Sequence, residues 1–163
     1  MKRTWIGLSI LTAATLILCG TALNKSSHLK AVEAPKTIVV QVTPQNVLLH
    51  INKERRLAGV APLQLHDGMN RSAQLKADDM TKYNYFGHVR DGKHGYSYIF
   101  DVNPGLCKLG GENIIGNANN PATIIYVWGQ STQGHYEAMV NPKATLVGVG
   151  ISGGNVVAHF CQQ

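Results

Sequence analysis

The sequence is short of several features that would mark a specialised class of protein. Only three of its 163 residues are cysteine, and charged residues make up 15% of the chain. It has no internal repeat and no long low-complexity tract, which excludes a repeat array and a largely disordered chain. The length leaves room for one domain with a short leader. A domain of that size buries enough apolar surface to fold without a metal ion or many disulfides.

Motifs for nucleic-acid binding are also missing, although the formal net charge is +6. Two of the positive charges, Lys2 and Arg3, belong to the N-terminal leader, and the other basic residues are scattered. The densest group is Lys53, Arg55 and Arg56, and an acidic residue interrupts it, a pattern typical of a solvated helix face. We expect no nucleic-acid partner and at most a weak attraction to an acidic polymer or lipid headgroup.

Charge is absent from residues 4–23, an apolar run of 20 residues behind Lys2 and Arg3. A helix of this length crosses a hydrocarbon core about 30 Å thick. The preceding positive pair favours a cytoplasmic N-terminus, which delivers everything after Leu23 to the other side. Residues 1–23 are therefore predicted to be a signal peptide or an N-terminal membrane anchor, and the rest of the chain extracytoplasmic.

The residues themselves leave the mode of attachment open. Small residues near the end of the run suit a signal peptidase, whereas its length suits an uncleaved anchor that keeps the chain in contact with the membrane. Cys19 resembles a lipidated cysteine, but Leu18 stands where a lipoprotein signal has a small residue. Residues 24–41 are interpreted as a linker and residues 42–163 as the domain.

Apolar spacing together with start and stop residues predicts three main helices. Thr43 is a capping residue, Pro44 suits a first helical turn, and Gly59 ends the helix that they begin. A second helix begins at Asp67, and a third spans residues 121–131. The second helix has apolar residues spaced four, four and three apart, and its small alanines imply close packing against a neighbouring element: Met69, Ala73, Ala77 and Met80.

The end of the chain changes from helical to alternating periodicity. Residues 145–151 and 155–161 flank a Ser-Gly-Gly turn, which predicts two strands joined by a tight turn. Ile114 and Ile115 are a further strand candidate. Helices that precede the strands along the chain indicate the α+β class, with helices packed on a sheet.

Two cysteines, Cys107 and Cys161, lie within the predicted domain. In an exported domain an even pair is most simply a disulfide, which would contribute roughly 4 kcal/mol through the chain entropy of the unfolded state. Two separate thiols are the alternative. A catalytic thiol is not expected, because neither cysteine is followed by a helix start that would lower its pKa.

Three groups with acid–base or metal-binding chemistry occupy unusual settings. His88 follows an aromatic-Gly run, Glu112 lies in a Gly-Gly-Glu-Asn run, and His135 follows Gly134 just after the third helix. More than 20 residues separate each from the next, so only the tertiary fold can bring them together. Taken singly, each also suits an ordinary surface or turn residue.

The order and spacing of four short motifs resemble the CAP superfamily, which includes cysteine-rich secretory proteins, antigen-5-type allergens, pathogenesis-related proteins and bacterial SCP-domain proteins. The resemblance covers roughly residues 42–161. Any single motif is common by chance, but four in order are specific. They are Tyr85-Phe-Gly-His88, Gly111-Glu-Asn-Ile114, Trp128-x-x-Ser131-x-x-x-His135 and Val147-Gly-Val-Gly-Ile151.

The resemblance implies an α-β-α sandwich, with a central antiparallel sheet and helices on both faces. It also implies a cleft lined by two histidines and two acidic residues. His88 and His135 match the two histidines and Glu112 the first acid, whereas Ser131 stands where the second acid is expected, as in bacterial members. Glu137 could take the place of that acid only if its backbone is extended.

Two histidines and a carboxylate are suitable ligands for zinc, and the resemblance implies zinc as a possible cofactor held by His88, Glu112 and His135. The function favoured by the sequence is a non-catalytic binding module for a lipid, a cell-envelope polymer or a protein. The alternative is a hydrolase of peptide or cell-envelope material, assisted by zinc or by His/Glu acid–base chemistry, with Ser131 as a candidate nucleophile beside His135.

Overall fold

The computed structural model describes residues 40–163. The predicted leader, with Cys19, and nearly all of the predicted linker therefore lie outside the described residues. Within residues 40–163, none of the helices combines the length and the apolar character that a transmembrane span requires.

Within these residues the chain forms five helices, of which α1, α2 and α4 are the three main helices predicted and α3 matches a shorter helical piece that the sequence predicts at residues 96–102. They are α1 (Pro44–Leu57), α2 (Asp67–Lys82), α3 (Ser97–Val102), α4 (Pro121–Gly129) and α5 (His135–Val140). The Thr43 side chain caps α1, because its Oγ accepts a hydrogen bond from the Asn46 backbone N–H at 3.2 Å. The third predicted helix ends at Gly129 rather than at residue 131. The short α5 was not predicted, because six residues carry little periodicity.

Four of the six strands in this part of the chain form one sheet. The strands are β1 (Gln64–Leu65), β2 (Val89–Arg90), β3 (Lys93–His94), β4 (Leu109–Ile115), β5 (Leu146–Ser152) and β6 (Asn155–Gln162). The sheet has the order β1-β5-β6-β4, and β2 pairs with β3 in a separate hairpin. Strands β4, β6 and β5 are antiparallel as expected. The sheet is nevertheless mixed, because β1 runs parallel to β5. A hairpin cannot join parallel strands, and the long segment between β1 and β5 contains the helices α2 to α5.

Helices cover both faces of the sheet, as the α-β-α architecture requires. On one face α1, α4 and α5 enclose a core with β5 and β6 that includes Ile51, Trp128 and Val147. On the other face α2 packs directly on β5 and β6, with Ala73 and Ala77 against the sheet. Successive residues of a strand point to opposite faces, so the odd-numbered residues 157, 159 and 161 of β6 face α2.

Two glycines in β5 allow this close approach of α2. A Cβ at Gly148 would lie 1.9 Å from the backbone carbon of Met69, and one at Gly150 would lie 2.2 Å from that of Ala73. On the face of the sheet that α2 covers, a disulfide between Cys107 and Cys161 joins the end of β6 to the segment before β4. The predicted bridge and the predicted close packing of the alanine stripe are both present.

The interpretation of the basic group on α1 as a solvated face was wrong for Arg55. Its side chain is fully buried, and it donates hydrogen bonds to the backbone carbonyls of Ala61, Met139, Asn141 and Ala144 at 2.6–3.1 Å. Burial lowers the pKa of the guanidinium from its ordinary value. Charge spacing alone could not reveal this role, because three of the four acceptors lie more than 80 residues away along the chain.

Candidate functional site

Glu112 is the centre of the candidate site and lies on the edge strand β4. Its side chain is only 2% exposed, and each of its carboxylate oxygens is hydrogen-bonded to a histidine. Oε1 lies 2.8 Å from Nδ1 of His88, and Oε2 lies 3.0 Å from Nε2 of His159. His159 stands directly opposite Glu112 on β6, so the register of the two strands creates the second contact.

Backbone and charge close around this carboxylate. A Cβ at Gly95 would lie 2.0 Å from Oε2 of Glu112, so the chain after β3 packs against the carboxylate only because residue 95 has no side chain. Lys76 on α2 is 1% exposed, and its positive charge acts on Glu112. Glu112 is thus held in a buried pocket that contains two imidazoles and one ammonium group.

The surroundings of Glu112 determine which groups carry charge. Burial alone would raise the pKa of the carboxyl. The hydrogen bonds from His159 and His88, together with the charge of Lys76, outweigh burial and hold this pKa below its ordinary value. Burial lowers the pKa of His159, against the opposing effect of Glu112. At neutral pH the geometry is therefore that of an ionised Glu112 accepting a hydrogen bond from a neutral His159.

The hydrogen-bond chain continues from His159 into the core. Nδ1 of His159 lies 2.9 Å from Oγ of Ser72 on α2. A neutral His159 that donates from Nε2 to Glu112 has Nδ1 as an acceptor, so the single hydroxyl hydrogen of Ser72 is shared between this nitrogen and the Met69 carbonyl, which lies 2.8 Å from Oγ. The result is a continuous line of hydrogen bonds that runs from Ser72 through His159 and Glu112 to His88.

His88 is the exposed end of that line, and the segment before it is fixed by α2. The Lys76 Nζ donates to the Gly87 carbonyl at 2.7 Å and to the Tyr85 hydroxyl at 3.0 Å. The His88 carbonyl accepts from the Gly95 N–H at 2.7 Å, which ties it to the β2–β3 hairpin. The His88 side chain remains 46% exposed. Its backbone is held firmly while its ring faces the surface.

His135 is positioned by the residue next to Glu112. The Asn113 side chain is buried and donates from Nδ2 to the His135 carbonyl at 2.9 Å. Gly134 has φ +88°, a left-handed conformation that turns the chain into α5 at His135. The Ser131 Oγ lies 2.6 Å from Nδ1 of His135 and accepts from the Gln133 N–H at 3.1 Å. Ser131 and His135 meet across this turn and not within a single helix.

The two surface histidines come together over the edge of the sheet. Their ring centroids are 5.9 Å apart and the ring planes are inclined by 28°. Nδ1 of His88 is occupied by Glu112, and Nδ1 of His135 by Ser131. Within residues 40–163, no protein group is hydrogen-bonded to Nε2 of either ring. Burial, followed by the charge of His88, lowers the pKa of His135 and favours its neutral form.

All four site residues predicted from the sequence, His88, Glu112, Ser131 and His135, therefore belong to one cluster. Sequence reasoning missed His159, which lies beneath Glu112 and connects its carboxylate to Ser72 in the core. A histidine in an otherwise apolar strand was a usable signal, since alternation places residue 159 on the same face as Cys161. Glu137 does not take the place of the second acid, because its backbone is helical in α5 and not extended, and the residue is exposed.

Zinc binding by His88, Glu112 and His135 stays a prediction, and the described geometry shows how many of their donor atoms are open. Residues 40–163 contain no group of three or more His, Cys, Asp or Glu side chains arranged to hold a metal ion. The reason is that both oxygens of Glu112 are engaged by histidines, which leaves only the Nε2 atoms of His88 and His135 as open donors. Catalytic zinc sites usually have three protein ligands. In this arrangement Glu112 orients the His88 ring through Oε1.

Comparison with known proteins identifies relatives of this domain. The model of the CAP family, described as the cysteine-rich secretory protein family, matches residues 48–162. The uncharacterised protein YkwD of Bacillus subtilis is 33% identical over 100 residues, which make up 61% of this chain and 38% of YkwD. The chain thus spans less than two fifths of this curated relative.

Solved structures share the fold at lower identity. An extracellular protein of Bacillus anthracis that contains an SCP domain superposes with a TM-score of 0.67 at 22% identity, over 74% of this chain and 40% of that protein. An outer surface protein of Borrelia burgdorferi superposes with a TM-score of 0.64 at 16% identity, over 77% of this chain and 99% of that protein. Both similarities concern the arrangement of helices and strands.

Proposed function

We propose that this chain, which belongs to the CAP family, is a non-catalytic binding module that works outside the cytoplasm. Three observations support the location. The apolar run at residues 4–23 predicts export, and a disulfide such as Cys107–Cys161 persists in oxidising compartments. The structural neighbours from Bacillus anthracis and Borrelia burgdorferi are described as an extracellular and an outer surface protein.

The observation that carries the proposed binding role is the pairing of His88 and His135 with their Nδ1 atoms already occupied. Glu112 fixes one ring and Ser131 the other, so neither ring has to be ordered when a ligand arrives. Preorganisation of this kind lowers the entropic cost of binding. The two Nε2 atoms are then available to a hydrogen-bonding group of a lipid headgroup, a cell-envelope polymer or a protein partner.

The neutral state of His135 limits the forces that can hold such a ligand. A neutral imidazole has one donor and one acceptor nitrogen, so it recognises a polar group by hydrogen bonds and not by charge. No step of the proposed function uses zinc.

A hydrolase is the second candidate, and the short contact between Ser131 and His135 favours it. A serine that donates to a neighbouring imidazole can be activated as a nucleophile. In the described residues, however, no carboxylate orients the His135 ring, since Glu112 contacts His88 and His159 and Asn113 contacts only the His135 carbonyl. The arrangement therefore lacks the third group that orients the base in a serine hydrolase.

A co-sedimentation assay with two candidate surfaces tests the proposal. The purified protein is mixed with isolated bacterial sacculi or with vesicles that contain anionic lipid, and the bound fraction is compared with that of a His88→Ala/His135→Ala variant. His50→Ala, a histidine on α1 outside the site, is the matched control. We expect the double variant to lose binding to one of the surfaces and His50→Ala to retain it, with no hydrolysis of peptide or ester substrates by any form.

Two results would overturn the binding role. One is equal binding by the wild type and the double variant. The other is robust turnover that disappears in Ser131→Ala and in the double variant. Melting temperatures of all variants separate a loss of binding from a loss of folding.

A further inference from the structure

We infer that a second cleft, separate from the histidine pair, is a binding site for a neutral carbohydrate unit. The cleft has a volume of about 330 Å³ and is lined chiefly by uncharged polar residues and by the aromatic rings of Tyr85 and Phe86. Its principal lining residues are Thr81, Asn84, Phe86, Asn117 and Asn155. None of them belongs to the histidine site, so the inference does not depend on the proposed function.

Three segments that are hydrogen-bonded to one another build the cleft. The end of α2 contributes Thr81, whose Oγ lies 2.8 Å from the Ser152 carbonyl in β5. Asn155, at the start of β6, donates from Nδ2 to the same Oγ at 3.2 Å. The Ala118 N–H donates to the Gly154 carbonyl at 3.1 Å, which fixes the loop after β4 against the β5–β6 turn. The walls are therefore held in place without a ligand.

Phe86 provides an aromatic surface at this cleft. Phe86 is 59% exposed, so part of its ring is open to solvent. The ring lies against the backbone of residue 116, since a Cβ there would be 3.5 Å from two of its carbons. One side of the ring thus rests on the loop, and the remainder is available for stacking.

Amide groups surround this ring. Asn84 and Asn117 have φ of 49° and 54°, so both occupy left-handed turn positions at the rim of the cleft. In the part of the chain that the structure describes, neither side-chain amide forms an intramolecular hydrogen bond. Each amide offers two donor hydrogens and one acceptor oxygen. No charged side chain lines the cleft.

This combination matches the surface of a sugar ring better than that of other common ligands. A sugar presents hydroxyl groups around its edge, which pair with amides, and C–H groups on its faces, which pack on an aromatic ring. The cleft has no positively charged side chain that could pair with an anionic ligand. A long apolar chain would leave the three asparagine side chains without water or partners, at a cost in desolvation.

Nuclear magnetic resonance on the full chain tests the inference directly. Chitotetraose, a neutral oligosaccharide with acetamido groups, is titrated into the protein while the side-chain amide signals of Asn84, Asn117 and Asn155 are followed. We expect saturable shifts at these signals and no comparable shifts at His88 and His135. Tetragalacturonic acid, an anionic oligosaccharide, is expected to bind no more tightly than chitotetraose.

Two variants and one control assign the effect to the cleft. Phe86→Ala should weaken binding by about tenfold through loss of aromatic contact. Asn117→Gly keeps a residue suited to the left-handed backbone while it removes the amide, and should weaken binding too. Tyr126→Ala removes an equally exposed aromatic ring from α4 and should leave binding unchanged.

Three outcomes overturn the inference. They are the absence of saturable shifts in the cleft, equal binding by wild type, Phe86→Ala and Asn117→Gly, and stronger shifts with the anionic sugar or with an uncharged tetrapeptide. Failure of this experiment would not affect the binding role proposed for His88 and His135, because the sedimentation assay tests that role with variants at other residues.

Discussion

Glu112 and His159 face each other across the antiparallel strands β4 and β6, with 3.0 Å between the carboxylate Oε2 and the imidazole Nε2. Both side chains are nearly inaccessible to solvent. This contact connects the surface ring of His88 to the interior through one carboxylate. The position of the exposed His88 ring therefore depends on Glu112 and His159, two buried residues that a ligand at the surface does not contact.

Removal of the His159 ring is predicted to destabilise the fold. In His159→Leu the buried Oε2 of Glu112 loses its donor, so the free energy of unfolding should fall by roughly 3 kcal/mol. Chemical denaturation measures the change. His159→Gln keeps an amide that can donate to Oε2 and should lose less stability than His159→Leu. A His159→Leu variant as stable as the wild type would contradict the role of this contact.

The depressed pKa of His159 predicts a loss of stability in mild acid. The unfolded chain binds a proton on this residue near the ordinary pKa of 6.5, whereas the folded chain resists it because the ring is buried. Stability should therefore be fully present above pH 6.5 and fall as the pH drops below it, by up to about 1.4 kcal/mol per pH unit for one group. His159→Gln should reduce this slope. Parallel stability curves for the two proteins from pH 7.5 to 5 would refute the prediction.

The close contact of α2 with β5 predicts that Gly148 cannot be replaced even by alanine. A Cβ would lie 1.9 Å from the backbone of Met69, so Gly148→Ala must push the helix away from the sheet. We expect a loss of about 3 kcal/mol or more in the free energy of unfolding. Gly129→Ala is the matched control, because a Cβ there meets nothing within 4 Å. Similar melting temperatures for the two variants would disprove this packing argument.

Arg55 is predicted to require its guanidinium group and not merely a positive charge. Its Nε and two Nη atoms reach four carbonyl groups at different positions, and a single ammonium cannot replace them. Arg55→Lys should cost about 2 kcal/mol of stability, since buried carbonyl groups lose their donors. The neighbouring Arg56 is exposed, so Arg56→Lys should change little. Equal stability of the two variants would show that Arg55 acts only as a solvated charge.

The fold was largely predictable from the sequence because its main elements have clear local signals. Pro44 and Asp67 mark helix starts that the structure retains, and the alternating residues after Thr145 form β5 and β6. The two-residue strand β1 and the six-residue helix α5 were not predictable in this way, because so short a segment has no measurable period. The burial of Arg55 was missed for a different reason, since three of the carbonyl groups that accept its hydrogen bonds reach the helix only in the folded chain.

The candidate site was predictable only in part. The family resemblance singled out His88, Glu112, Ser131 and His135, but it gave no hydrogen-bond partners. The assignment of Glu112 as a metal ligand stays a prediction; what the sequence did not reveal is that the carboxylate is hydrogen-bonded to two rings, one of which comes from the last strand. The contribution of His159 depends on the register between β4 and β6, which local sequence does not determine.

The tautomers of the two rings that flank Glu112 provide the most direct test of how the site is built. Long-range ¹H–¹⁵N spectra of the histidine rings, recorded at pH 8.5 where imidazoles are ordinarily neutral, show which nitrogen carries hydrogen. We predict that His88 carries it on Nδ1 and His159 on Nε2, so that the ring nitrogens donating to Glu112 are different ones and Nε2 of His88 is left open to a ligand. A His88 ring with its hydrogen on Nε2 and none on Nδ1 could not donate to Glu112 and would contradict this account.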